Sequence, residues 1–219
     1  MTDVVSSKPD VHDMVVVHRS FRQWSAEYPN LLRGLRPGDT ARAALVVGGV
    51  RFMLMGLDSH HGSEDEFLYP RLAERAAGQA EAIARMEEQH HRLEELLTQV
   101  TGTLDQLAAD PRQPLYEQVA AQLTELGSVL SAHMDEEEDT MLPLAAEHLS
   151  VAEWEELGKI GLAKLDNKQL LFAFSALMAV ATPEEQLTLL TKVPLPARLL
   201  WRISGRRSYA RWKASLYGA

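Results

Sequence analysis

Four stretches of the chain carry apolar residues at spacings of three and four, the seam pattern of helices packed into a bundle. The first runs from about Asp10 to Tyr28, with Val11, Met14, His18, Phe21 and Ser25 on one face. The run PNLLRGLRPGD after it, rich in proline and glycine, is expected to end it. The second spans about Thr40 to Tyr69, and its seam holds Val46, Val50, Met53, Leu57, His60, Glu64 and Phe67. The third begins near Gln79 and keeps the spacing through Ile83, Met86, His90, Leu93, Leu97, Val100 and Leu104, until ADPRQP punctuates it. The fourth starts around Leu115 and carries Val119, Leu123, Leu126, Leu130, His133, Glu137 and Leu144. No stretch alternates for long at period two. The pattern predicts an all-α chain whose residues 1–149 form an antiparallel up-down four-helix bundle. Past Leu149, Ser150 with Glu153 and Thr182 with Glu185 read as capping boxes that open two further helices. Residues 150–219 are therefore expected to form a C-terminal helical extension, packed on the bundle or at an interface between copies in a homo-oligomer.

Some seam positions are not apolar. His18, His60, Glu64, His90, His133 and Glu137 stand where leucine or valine would otherwise sit. Buried polar groups need partners, and buried charges cost several kcal/mol without them. The phrase around the second of these repeats itself: HHGSEDEFLYP at 60–70 returns as HMDEEEDTMLP at 133–143, with the glutamate four residues and the proline ten residues after the first histidine. Residues four apart on a helix lie about 40° apart and one turn up, so each His/Glu pair can address one point in the interior. The order along the chain is His, His-x-x-x-Glu, His, His-x-x-x-Glu. That is the ligand logic of two helical hairpins around two metals related by a pseudo-twofold axis. A single buried histidine is more often a hydrogen-bonded core residue than a ligand. Four, two of them with seam glutamates one turn on, favour a binuclear site. A carboxylate can bridge two metals through its two oxygens while imidazoles occupy outer positions; such nitrogen and oxygen donors suit iron or manganese, and zinc less well. His91 faces solvent beside His90, His12 and His148 lie off the seam, and the helical phase of Tyr69 differs from that of His60 and Glu64. None of these four is assigned to the site.

The chain has no cysteine, which removes disulfides, thiolate metal sites and cysteine nucleophiles, so any metal falls to His, Asp and Glu. A net charge of −9 argues against general nucleic-acid binding. The N-terminus has no basic and apolar leader pattern, and the apolar run LLFAFSALMAV is too short to span a bilayer, so a soluble cytoplasmic protein is expected. The segment from Thr182 onward differs from the rest: seven Lys or Arg stand against two Glu. Such a basic amphipathic segment suits a membrane surface or nucleic acid. Docking on an acidic bundle or a second subunit is the favoured reading.

His18, HHGSE at 60–64, His90 and HMDEE at 133–137 resemble the hemerythrin-like (HHE cation-binding) family over about residues 10–148. The resemblance implies a non-haem centre of two iron ions with an oxo or hydroxo bridge. It implies Glu64 and Glu137 as bridging ligands, His18 and His60 on one iron, and His90 and His133 on the other. The C-terminal extension and Ala/Arg-rich composition are similar to hemerythrin-like proteins of actinobacteria, including mycobacteria. Two features depart from oxygen-carrying members. Their second third-helix histidine is Glu94 here, and their last bridging carboxylate commonly stands five residues after its histidine rather than four. Glu94 either completes the second iron or is a solvated helix glutamate. His61 is either a sixth donor to the first iron or a partner orienting His60, with a ligand role favoured. An extra carboxylate would stabilise ferric iron, so catalase-like disproportionation of hydrogen peroxide in oxidative stress defence is favoured over reversible oxygen carriage. The alternative is a protein that binds dioxygen or nitric oxide, or senses redox state or iron, without turnover. A structural bundle holding zinc or no metal is the third reading.

Overall fold

A computed structural model describes residues 8–36, 38–109 and 111–218. Residues 1–7, where a leader was sought, and Pro37 and Asp110 of the two punctuating loops lie outside the described residues. No strand occurs among the described residues. The bundle consists of α1 (His12–Arg33), α2 (Thr40–Ser63) continuing into α3 (Tyr69–Arg75), α4 (Ala80–Ala109), and α5 (Gln113–Glu136) continuing into α6 (Leu142–His148). Cross-helix pairs give the directions. On α1 and α5, Arg33 meets Glu117, Arg22 meets Asp135 and His18 meets Glu138, so one index falls as the other rises. Arg51 with Asp105 and His90 with Asp65 do the same for α4 and the second helix, and Arg92 with Glu125 and Arg85 with Glu136 for α4 and α5. The expected antiparallel up-down bundle is present.

One boundary differs. The first helix does not stop at Tyr28 but runs through Pro29 to Arg33. Proline inside a helix costs about 3 kcal/mol. Leu31 and Leu32 extend the apolar face beyond it and are both buried, as is Leu35 just past the helix. Each buried leucine contributes roughly 1.5–3 kcal/mol, so burial outweighs the proline.

A second difference sets the site. Between α2 and α3, and again between α5 and α6, the helix widens into a single π turn, Glu64–Leu68 and Glu137–Met141. Tyr69 N–H donates to Glu64 O and Leu142 N–H to Glu137 O, five residues back instead of four. Pro70 and Pro143 come at once after these turns, and neither has an N–H to continue the ordinary ladder. Each wide turn adds one residue, so the segment beyond it stands in helical phase one residue behind its count. Phe67 and Leu144, expected on the seam, are only partly buried, whereas Leu68, Tyr69, Met141 and Leu142 are fully enclosed.

The extension comprises α7 (Val151–Leu162), α8 (Asn167–Val180), α9 (Pro183–Thr191), α10 (Leu195–Leu200) and α11 (Arg206–Leu216), with a third π turn at Trp201–Gly205. Both expected capping boxes form, and Asp166 with Gln169 makes another at α8. The extension is tied to α1 by charge. Arg19 reaches both Glu185 oxygens at 2.7 and 3.0 Å, and Lys192 Nζ lies 2.6 Å from Asp13. The Arg19 hydrogen bonds and the Thr182 N–H hold the Glu185 carboxyl down to about 2. The basic end lies on the bundle: Trp212 packs edge-on to Trp24, Arg42 donates to Leu216 O, and Tyr217 donates to Glu27.

The helix Thr40–Arg75 is long and apolar enough, by length and composition, to cross a membrane. It carries Val46, Val50, Met53 and Leu57 into the core, so its apolar character has a use within the bundle.

Candidate metal centre

Two apolar clusters fill the bundle, one built around Leu57, Leu93 and Leu130 and the other around Leu68, Met86 and Leu142. Between them lies a polar layer. His18, His60, His61, Glu64, His90, His133 and Glu137 are all buried there. Donor atoms fall into two groups, each within 4.8 Å of one another: His18, His60, Glu64 and Glu137 in one, and His61, His90 and His133 in the other. Within them the Nε2 atoms of His18 and His60 are 3.2 Å apart, as are those of His90 and His133. Glu64 spans the groups: Oε1 lies 3.3 Å from His60 Nε2 and Oε2 3.7 Å from His90 Nε2. Glu137 Oε2 lies 3.4 Å from His18 Nε2 and 3.6 Å from His133 Nε2.

The outer ring nitrogens are held by acceptors. His18 Nδ1 meets Glu138 at 2.8 Å, His90 Nδ1 meets Asp65 at 2.6 Å, and His133 Nδ1 meets the Gln89 side-chain oxygen at 2.9 Å. A carboxylate or amide oxygen only accepts, so these bonds place the proton on Nδ1 and turn the Nε2 lone pair inward. His90 and His133 then face each other acceptor to acceptor. Glu64 Oε1 and Oε2, Glu137 Oε2 and His61 Nε2 are buried with no hydrogen-bond partner among the described residues. Buried acceptors without donors are rare, and converging ones call for a cation. Burial drives the Glu64 carboxyl well above its ordinary range, with Glu137 and Asp65 adding to the shift. Burial likewise lowers His60 and His61, and takes His133 down to about 3. These rings are neutral, the form that binds metal. The donor set fits iron or manganese.

Two expectations change. Glu94 is exposed, beside Arg51 and Asp58 on the outer surface, and joins neither group. Leu93 and Leu97 take the inward positions of that turn and leave Glu94 on the solvent flank. His61 does not accompany His60. One residue turns the helix by about 100°, from α1 toward α4. The His61 ring stacks on His90 at 4.3 Å between centroids, 25° from parallel, with His133 edge-on. It faces the group that Glu94 was expected to complete.

Sequence reasoning misses several residues of the site. Tyr69 is fully buried, its hydroxyl 3.3 Å from Glu137 Oε1 and 3.4 Å from His90 Nε2. Steady α-helical counting puts it opposite His60; the π turn brings it round to the place four residues after Glu64. Asp65, Glu138 and Gln89 read as solvated helix positions. A signal was there for two of them, because an acidic residue directly follows each seam glutamate, ED at 64–65 and EE at 137–138. Arg22 continues one of these contacts outward, donating to Glu138 at 2.6 Å. Burial alone would raise the Glu138 carboxyl, but the hydrogen bonds from His18 and Arg22 outweigh it and hold it below its usual range.

The positions of His61 and Glu94 give opposite expectations. His61→Ala should lower metal occupancy by at least about tenfold in affinity, whereas Glu94→Ala should leave it unchanged. Elemental analysis of both variants checks this, and metal loss in Glu94→Ala alone would reverse the assignment.

A family model described as the hemerythrin HHE cation binding domain matches residues 9–145. No curated protein and no solved structure matches the chain.

Proposed function

The chain belongs to the hemerythrin HHE cation-binding family, and from that premise we propose that it is a non-haem di-iron protein of the cytoplasm that disproportionates hydrogen peroxide. The observation that carries this reading is the unequal division of donors. His61, His90 and His133 offer three imidazoles to one position, while His18 and His60 offer two to the other. Glu64 and Glu137 stand between. With both carboxylates shared between the groups, the position with fewer imidazoles leaves room for an exogenous molecule. Iron held there supplies Lewis acidity and a redox couple.

With Glu94 on the outer surface, turnover depends instead on proton-holding groups at the cluster. The Tyr69 hydroxyl, which burial and the neighbouring carboxylates hold protonated well above its ordinary range, donates to Glu137, and Glu138 holds the His18 Nδ1 proton while Arg22 keeps that carboxylate ionised. Two peroxide molecules become two waters and one dioxygen with electrons and protons in balance, so no outside reductant is required. What the site must do is keep protons within reach while excluding bulk water.

The test begins with a count of iron, manganese and zinc per chain, and then measures oxygen release from added peroxide. About two irons are expected, with one dioxygen evolved for every two peroxides consumed. Iron-loaded protein that releases no oxygen from peroxide would overturn the reading. His61 favours a second one, because a third imidazole where an added carboxylate was expected suits reversible oxygen binding. Ferrous protein that binds and releases oxygen over repeated cycles would establish it instead.

A further inference from the structure

Between the bundle and the extension lies a cavity of about 290 Å³. Phe21 of α1 and Gly56 of α2 form one wall, and Trp154 and Gly158 of α7 with Ala173 and Leu177 of α8 form the other. The family match ends at residue 145, so the second wall comes from outside the matched domain. Of the residues in the two donor groups, only His60 lines this space.

The lining is mostly hydrocarbon, and the charge it contains is spent. Asp13, on the wall, accepts from the Trp154 indole N–H at 3.0 Å and pairs with Lys192 at 2.6 Å. Ser63 already donates to His60 O at 2.7 Å. Ser20 and the His60 ring complete the polar lining. The volume is not a packing accident of large side chains meeting badly. Gly158 sits inside α7 with nothing within 4 Å of where its Cβ would be. Gly158 therefore places no side chain in this space.

We propose that this cavity binds an uncharged apolar small molecule, an alkyl chain or single ring bearing one hydroxyl-type head, with the head toward His60. The volume lies just below the range of drug-sized sites, about 300–1,000 Å³, and suits a smaller ligand. An anionic ligand is disfavoured, because burying a carboxylate without a free cation is costly. The shape and chemistry of the cavity favour this ligand whichever reaction the metal cluster performs.

Calorimetric titration of the full chain, metal-loaded as purified, with 1-octanol and separately with octanoate tests it. One saturable 1-octanol site per chain is expected, with octanoate at least about tenfold weaker. Gly158→Leu, which fills the void from α7, should weaken 1-octanol at least about tenfold while helicity and metal content stay unchanged. Should that variant lose helicity, Ala173→Leu fills the same space from α8 and is expected to give the same result. No saturable binding, equal binding of octanol and octanoate, or undiminished octanol binding in a folded filled variant would each overturn the proposal.

Discussion

Glu64→Ala is expected to abolish the binuclear centre, weakening metal binding by at least about a hundredfold. Outer partners of metal ligands alone are worth about 10–100-fold, and Glu64 would itself hold the metals. Its two oxygens point one to each donor group. Removing it severs the group that spans both positions and also removes negative charge from a fully enclosed layer, where two cations would otherwise be balanced by Glu137 alone. Glu64→Gln is the informative companion. It keeps the shape and one carbonyl oxygen, so loss of metal in the glutamine variant isolates charge from volume. Elemental analysis with the visible absorption of the ferric protein reads both. An alanine variant that keeps two irons and an unchanged spectrum would sink the assignment of Glu64 as the shared ligand.

Chelating the metal should lower the melting temperature of the protein by roughly 8–16 °C. A ligand present at about a thousandfold over its dissociation constant stabilises by about 4 kcal/mol, and 1 kcal/mol moves a chain of this size by about 2–4 °C. The physical source is the set of converging acceptors. With a cation, the Glu64 and Glu137 oxygens and His61 Nε2 are satisfied; without one they are buried against each other. The two forms should also respond differently to pH, because in the metal-free chain the lowered His60, His61 and His133 lose stability as pH falls below 6.5 while Glu64 acts in the opposite direction. In the metal-free chain the Glu64 carboxyl stays protonated well above 4.5, the value at which it would ionise when unfolded. Stability from that source is full in acid and is lost as pH rises above 4.5 toward the raised folded value. In the loaded chain protons compete with the metal for the same atoms, so stability rises with pH over that range. Melting curves with and without chelator across this range decide the matter. Equal midpoints would mean that the layer is satisfied by something other than a metal.

The site is legible in the sequence wherever a steady helical period governs. His18, His60, His90 and His133 fall at seam positions, and the structure buries all four with Glu64 and Glu137 in one layer. Legibility fails where the period changes or where two helices compete for one space. A uniform 100° per residue points Tyr69 away from the site, and nothing local announces a π turn except the proline after it. Glu94 reads as a candidate because it lies one turn beyond His90. Spacing along one helix does not reveal that His61, from the neighbouring helix, faces the same group. Asp65 is 48% exposed and looks like any solvated helix carboxylate, yet its oxygen fixes the His90 tautomer. Pro29 reads as a terminator because a breaker is local, whereas the burial of Leu31 and Leu32 that overrides it is not.

The two π turns bear on how the chain tolerates lost residues. In an ordinary helix, deleting one residue swings everything beyond it by about 100°. Each π turn already contains one residue more than the α-helical path needs. Deletion of Glu66, on the solvent side, would let that turn close to α geometry with the phase on both sides preserved. Tyr69 would then stand four residues after Glu64 by count as well as by position. The same holds for the matching turn after Glu137. The two halves thus share an insertion that either could give up without turning its second segment away from the other.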